Sequence, residues 1–148
     1  MKVLLVLLSC FQLSLMAGES VNSGHAEVRL LSNLQSQRDE TFYLGIEMAM
    51  DKGWHTYWQN PGDSGGAFDV IWESPEGFII ENVSWPTPEL IPYPPLMTYG
   101  YEDYVLFPFQ VFRTAESNLG VVKATINFLI CADICVPEST SIEIDLST

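Results

Sequence analysis

Residues 40–50 read Glu-Thr-Phe-Tyr-Leu-Gly-Ile-Glu-Met-Ala-Met, placing Phe42, Leu44, Ile46, Met48 and Met50 at every second position. Side chains of a strand alternate between its two faces, so this spacing specifies a long strand with one buried face. A helix would spread the same residues around its axis. The alternation recurs in residues 26–34, and Ile142, Ile144 and Leu146 repeat it near the end. Residues 104–112 and 121–130 are rich in β-branched and aromatic side chains, and shorter runs of that kind occupy 54–58, 67–72 and 78–83. Turn formers separate the runs. Asp51-Lys52-Gly53 and Ser74-Pro75-Glu76-Gly77 are short turns, and residues 59–66 contain Pro61, Gly62, Gly65 and Gly66. Residues 85–95 hold five prolines. Proline cannot donate to a central ladder, so this stretch is expected as an extended surface segment, and Pro108 marks an edge or bulge in 104–112. Seven to nine short strands without an amphipathic helix predict an all-β fold, an immunoglobulin-like antiparallel sandwich.

With 148 residues, 47% apolar and 12% aromatic, the chain can bury the core of one such domain, and disorder is excluded. Six basic residues against nineteen acidic ones give a formal charge of −13. No basic patch is available to neutralise phosphates, which argues against nucleic acid and anionic membrane surfaces as partners. Residues 1–17 combine a basic start at Lys2, an apolar centre and a small-residue exit at Ala17-Gly18, the arrangement of an export signal. Cleavage is expected after Ala17. A buried helix is the competing reading, and Leu7-Leu8-Ser9-Cys10 loosely matches a lipoprotein acylation box. Residues 18–25 are then expected as a flexible leader and 26–148 as the folded domain. Export implies an oxidising compartment.

Loss of the signal removes Cys10 and leaves Cys131 and Cys135, in the run Phe128-Leu-Ile-Cys-Ala-Asp-Ile-Cys-Val-Pro137. On a straight strand their Cα atoms would stand about 13 Å apart, and a disulfide needs roughly 4.4–6.8 Å, so pairing demands a tight turn at Ala132-Asp133-Ile134. Closing so short a loop removes about 2 kcal/mol of unfolded-state entropy, little for a structural staple. Three readings stay open: a redox-active pair, an inert bridge and a pair of metal ligands. A metal needs further donors, and His55 and Met97 are the candidates to join the cysteines at copper(I). A histidine between Trp54 and Thr56 in an aromatic strand also reads as a simple packed residue. The aromatic set from Trp54, Tyr57 and Trp58 to Tyr104 reads as core and loop packing more than as a ligand groove. Ser64, before Gly65, lacks the partners of a nucleophilic triad.

Four segments together resemble a known family: Gly53-Trp-His-Thr-Tyr-Trp-Gln-Asn-Pro-Gly-Asp63, Trp85-Pro-Thr-Pro-Glu89, Tyr99-Gly100-Tyr101 and Cys131-Ala-Asp-Ile-Cys-Val-Pro137. They are similar to the N-terminal periplasmic domain of the DsbD/ScsB-type thiol:disulfide interchange proteins, over residues 26–148. The resemblance implies an immunoglobulin-like sandwich in the periplasm. Its cysteine pair would pass electrons from a thioredoxin-like donor to disulfide-bearing client proteins, with no cofactor and no metal. Carried over, Cys131 and Cys135 are the redox pair, with Cys135 entering the mixed disulfide. Tyr99-Gly100 ends a loop that in the best-known members caps the cysteines with a phenylalanine. Thr98 stands at that position here, with Leu96 and Met97 as substitutes. Three residues separate the cysteines where the best-known members have five, which points to the ScsB-like branch. Asp133 inside the loop, with no Lys or Arg adjacent, implies weakly ionised thiols. A membrane electron-transfer partner is expected in trans or outside this reading frame. The alternative is an exported copper(I)-binding module using Cys131, Cys135 and His55.

Overall fold

The computed structural model describes residues 15–147, and every regular element among them is a strand. Residues 1–14, which hold most of the expected signal and Cys10, lie outside the described residues. In chain order the strands are β1 (Met16–Ala17), β2 (Val21–Asn22), β3 (Ala26–Ser32), β4 (Thr41–Met50), β5 (His55–Gly62) and β6 (Asp69–Glu73), followed by β7 (Phe78–Ile80), β8 (Glu89–Tyr93), β9 (Leu96–Glu102), β10 (Tyr104–Arg113), β11 (Val121–Cys131) and β12 (Cys135–Asp145). They form two six-stranded sheets. The first runs β1-β3-β4-β10-β7 with β2 also on β3, and the second runs β12-β11-β5-β9-β8 with β6 also on β11. Every pairing is antiparallel.

The alternation of β4 turns Phe42, Leu44, Ile46 and Met48 into the interior, where its neighbours β3 and β10 add Val28, Leu30, Phe107 and Phe109. These meet Val122, Ala124, Ile126, Phe128 and Ile130 of β11 and Ile142 and Ile144 of β12. Burying one large apolar side chain contributes about 1.5–3 kcal/mol, so the matched stripes of the two sheets hold the sandwich together. Phe68, Trp85 and Tyr101 surround Phe107 with ring centroids 4.6, 5.5 and 5.2 Å from it. The Tyr101 hydroxyl donates to the Pro86 carbonyl at 2.8 Å, which fixes the proline-rich segment to this end of the core. Burial pushes the Tyr101 phenol up to about 12.

Twelve strands replace the expected seven to nine, because several are too short to display a period. β1 and β2 have two residues each and β7 three. β8 comes from the proline-rich stretch expected as an extended surface segment, and it is largely exposed. It lies at the edge of its sheet, where Pro92, opposite Met97, does not interrupt a central ladder. β5 continues past Trp58 to Gly62 across an irregularity in its register with β9. The segment 18–25, expected as a leader, is tied to the sandwich. Val21 pairs with Val28, Ser23 and His25 both hydrogen-bond Glu138 on β12, and the His25 ring stacks on Trp54 at 3.7 Å. Among the described residues no helix is long and apolar enough to cross a membrane.

Candidate functional site

β11 and β12 pair along their whole length, from Val121 opposite Asp145 to Cys131 opposite Cys135. That register brings the cysteines face to face at the mouth of a three-residue turn, Ala132-Asp133-Ile134, closed by the Ala132 N–H donating to the Ile134 carbonyl at 2.9 Å. Their Cα atoms are 4.1 Å apart and the sulfurs form a disulfide. The chain reversal that the spacing demanded is this hairpin turn. The two cysteines differ sharply in exposure: Cys131 is 1% exposed, and Cys135 lies at the surface.

Cys131 is buried on the outer side of its sheet. The inward stripe of β11 is Val122, Ala124, Ile126, Phe128 and Ile130, so by alternation Cys131 faces away from the sandwich core. Its cover comes from other elements. On the edge of β11 away from β12, β6 pairs with residues 123–127, and β5 pairs only where His55 stands opposite Cys131. Directly paired residues share a face, so His55 and, two positions on, Tyr57 lie on the same outer face as the disulfide. The Tyr57 hydroxyl donates to Cys131 Sγ at 2.9 Å and lies 3.4 Å from Cys135 Sγ. The loop after β5 folds back over the ring at Gly65, whose φ of +91° and lack of a side chain allow the contact; a Cβ there would overlap the Tyr57 ring. Tyr57 is 2% exposed yet belongs to no part of the main core. Burial pushes its phenol up from the usual value near 10, against an opposing pull from Ser64, so the hydroxyl stays a donor at neutral pH. His55 meets the Tyr57 ring edge-on at 5.3 Å. Burial lowers its pKa below 6.5, against an opposing pull from Glu102, its partner on β9.

The remaining wall is the β8–β9 hairpin. Tyr93 stands opposite Leu96 and Ile91 opposite Thr98, so these four share one face, and that face turns toward the disulfide. With His55, Tyr57, Ser64 and the cysteine turn they enclose a pocket of about 150 Å³. Thr98 is 2% exposed and hydrogen-bonded to the Ser64 hydroxyl at 3.0 Å. Of the expected supporting residues, Leu96, Thr98 and Asp133 line this pocket. Met97 and Tyr99 belong to the opposite, exposed face of the hairpin, and at Gly100 a side chain would collide with the Thr56 carbonyl. The expected loop 96–100 is therefore a strand, and half of it points away from the cysteines. His55 is brought beside the pair and Met97 is not. Among the described residues no three His, Cys, Asp or Glu side chains converge as a metal site. A wider groove of about 680 Å³ between residues 16–21 and β12 contains neither cysteine nor histidine. From the sequence, Tyr57 and Tyr93 read as packing more than as a ligand groove, Ser64 is set aside as a nucleophile, and Ile91 is not considered for the site. The usable signal was parity: Tyr57 lies two residues from His55.

Residues 27–146 match the family described as "Thiol:disulfide interchange protein DsbD, N-terminal". The chain belongs to this family. The resemblance read from four short segments is thus borne out across nearly the whole described chain, and segments 53–63 and 131–137 supply His55, Tyr57 and both cysteines of the site. The N-terminal periplasmic domain of ScsB from Proteus mirabilis has a similar structure, with a TM-score of 0.68 and 25% identity over 90% of this chain and 52% of that one. The chain therefore spans about half the length of that structure. The GAE domain of yeast GGA1 overlaps 84% of this chain and 96% of its own, at 16% identity and a TM-score of 0.46. None of the curated proteins matches the chain.

Proposed function

We propose that this chain is a periplasmic thiol–disulfide exchange domain, in which Cys131 and Cys135 relay an electron pair from a thioredoxin-like dithiol donor to the disulfide of a client protein. The observation that carries the reading is the inequality of the two cysteines: Cys135 is exposed on a hairpin turn, and Cys131 is buried against the Tyr57 hydroxyl. Membership of the DsbD N-terminal family supports it, as does the likeness to a periplasmic ScsB domain.

Exchange requires a thiolate to attack one sulfur and expel the other. Cys135 is the reachable sulfur, so Cys131 is the leaving group. The donor thiolate bonds to Cys135 Sγ, the Cys131–Cys135 bond breaks, and Cys131 departs as a thiolate that accepts a hydrogen bond from Tyr57. The donor's second thiolate then attacks the donor sulfur of the mixed disulfide and releases Cys135. The donor leaves oxidised, and the pair has gained two electrons and two protons. In the second half, Cys135 thiolate attacks the client disulfide and releases one client thiolate. Cys131 then attacks Cys135 Sγ, which closes the bridge and releases the other. No Lys or Arg lines the site. The Tyr57 donor therefore supplies stabilisation that a neighbouring cation gives in other reactive thiols, a charged hydrogen bond contributing about 1.5–3 kcal/mol.

Equilibration in glutathione buffers, with free thiols counted by alkylation and mass, tests the reading. The pair is expected to interchange reversibly between about −230 and −180 mV. A bridge that stays closed far below that range is an inert staple and contradicts the proposal.

A further inference from the structure

The proposed exchange uses the two sulfurs and the Tyr57 hydroxyl and gives no role to the rest of the pocket they line, whose chemistry is specific. Ile91, Tyr93, Leu96 and the Tyr57 ring make its walls apolar. Its volume of about 150 Å³ equals that of a dry cavity able to hold benzene, so it has room for one branched aliphatic or phenyl-sized group. Ile134 of the turn, 66% exposed, and Tyr93, 53% exposed, extend the apolar surface at its rim.

The covalent step fixes what can reach it. A disulfide holds its two Cα atoms roughly 4.4–6.8 Å apart, and the next Cα along the partner chain is about 3.8 Å further. A residue flanking the partner's reactive cysteine therefore lies within about 11 Å of the Cys135 Cα, alongside a pocket to which Cys135 itself contributes. Charge narrows the partner further. Asp133 lines the pocket and Glu102 pairs with His55, while Lys123 sits at the far end of β11, ion-paired with Glu73. The whole chain carries −13.

Resting on the exchange reading above, we infer that the pocket is a specificity subsite that takes the apolar side chain flanking the reactive cysteine of a partner protein, with basic residues just beyond it. Burial of that side chain in the mixed disulfide favours such partners over those with a polar residue at the same place, and the acidic rim favours a basic surround.

Reduced peptides with a single cysteine test this on the oxidised protein. One set carries Leu, Phe or Ser beside the cysteine, and another carries Lys or Glu one residue beyond. The rate at which each peptide opens the Cys131–Cys135 bridge is followed by acid quench and mass. Each rate is divided by that of the same peptide on glutathione disulfide, which cancels intrinsic thiol reactivity. The Leu and Phe peptides are expected to exceed the Ser peptide by about tenfold or more, the least that burying one such side chain gives. Lys is expected to exceed Glu, with a ratio that shrinks as salt is raised. Filling the pocket in Leu96→Trp should bring the Leu-to-Ser ratio toward one. Equal rates for Leu, Phe and Ser overturn the subsite and leave the exchange reading standing. No reaction with any peptide removes both.

Discussion

The hydroxyl of Tyr57 donates a 2.9 Å hydrogen bond to Cys131 Sγ across 74 residues of sequence. The sulfur that receives it is the buried one, on which charge would appear in the proposed relay when a partner attacks Cys135. A neutral donor that stays protonated because it is buried stabilises the thiolate without a compensating positive charge. Removing only that oxygen, in Tyr57→Phe, keeps the ring in place. Opening of the bridge by dithiothreitol should slow about tenfold, and the thiolate absorbance of reduced Cys131 should titrate at higher pH. The urea midpoint should move little, which separates an effect on the sulfur from an effect on the fold.

Gly65 holds the ring that carries this hydroxyl. With φ at +91° and no space for a Cβ against Tyr57, Gly65→Ala both strains the backbone and pushes the ring aside. Stability should fall by about 1–3 kcal/mol in urea titrations. Exchange should slow at least as much as in Tyr57→Phe, since the hydroxyl is displaced.

His55 gives the site end of the domain a pH dependence. Burial holds its folded-state pKa below the 6.5 of an exposed histidine, so between the two values the unfolded chain takes up the proton first. The contribution of His55 is therefore present in full above about pH 6.5 and is lost as pH falls through the folded-state pKa. Unfolding free energies across this window should decline more steeply for the wild type than for His55→Gln. Parallel curves would show that His55 is not buried in its neutral form.

The fold was legible where alternation ran long. Phe42 to Met50 announced β4, and the spacing of Cys131 and Cys135 required a turn that the structure supplies as the β11–β12 hairpin. The site was legible only in part, for a physical reason. Cys131 and Tyr57 are buried on the outer face of a sheet, beneath residues 63–66 and the β8–β9 hairpin, and period-two reading assigns buried aromatic residues to the main core. Which face Tyr57 occupies depends on His55 pairing with Cys131, a contact that no local pattern encodes. β8 was hidden for a similar reason: prolines argue against a central strand and say nothing about an edge.

The aromatic cluster at Phe107 should dominate stability near the site end. Phe107 is fully buried among Phe68, Trp85 and Tyr101, whereas Phe112 on the same strand is 38% exposed. Phe107→Ala should cost about 3–5 kcal/mol in urea unfolding, and Phe112→Ala less than about 1.5 kcal/mol.

The measurement that bears most directly on the central claim is trapping with single-cysteine variants. Each of Cys131→Ser and Cys135→Ser, reduced, is mixed with a thioredoxin-like protein that keeps only its attacking cysteine, activated as a mixed disulfide with thionitrobenzoate, and is analysed by non-reducing electrophoresis and mass. The exposed Cys135 retained in Cys131→Ser should form a stable mixed disulfide, since neither protein then keeps a second thiol to resolve it. The buried Cys131 retained in Cys135→Ser should form little or none. Equal trapping by both variants, or trapping through Cys131 alone, would contradict a relay in which Cys135 meets the partner and Cys131 leaves.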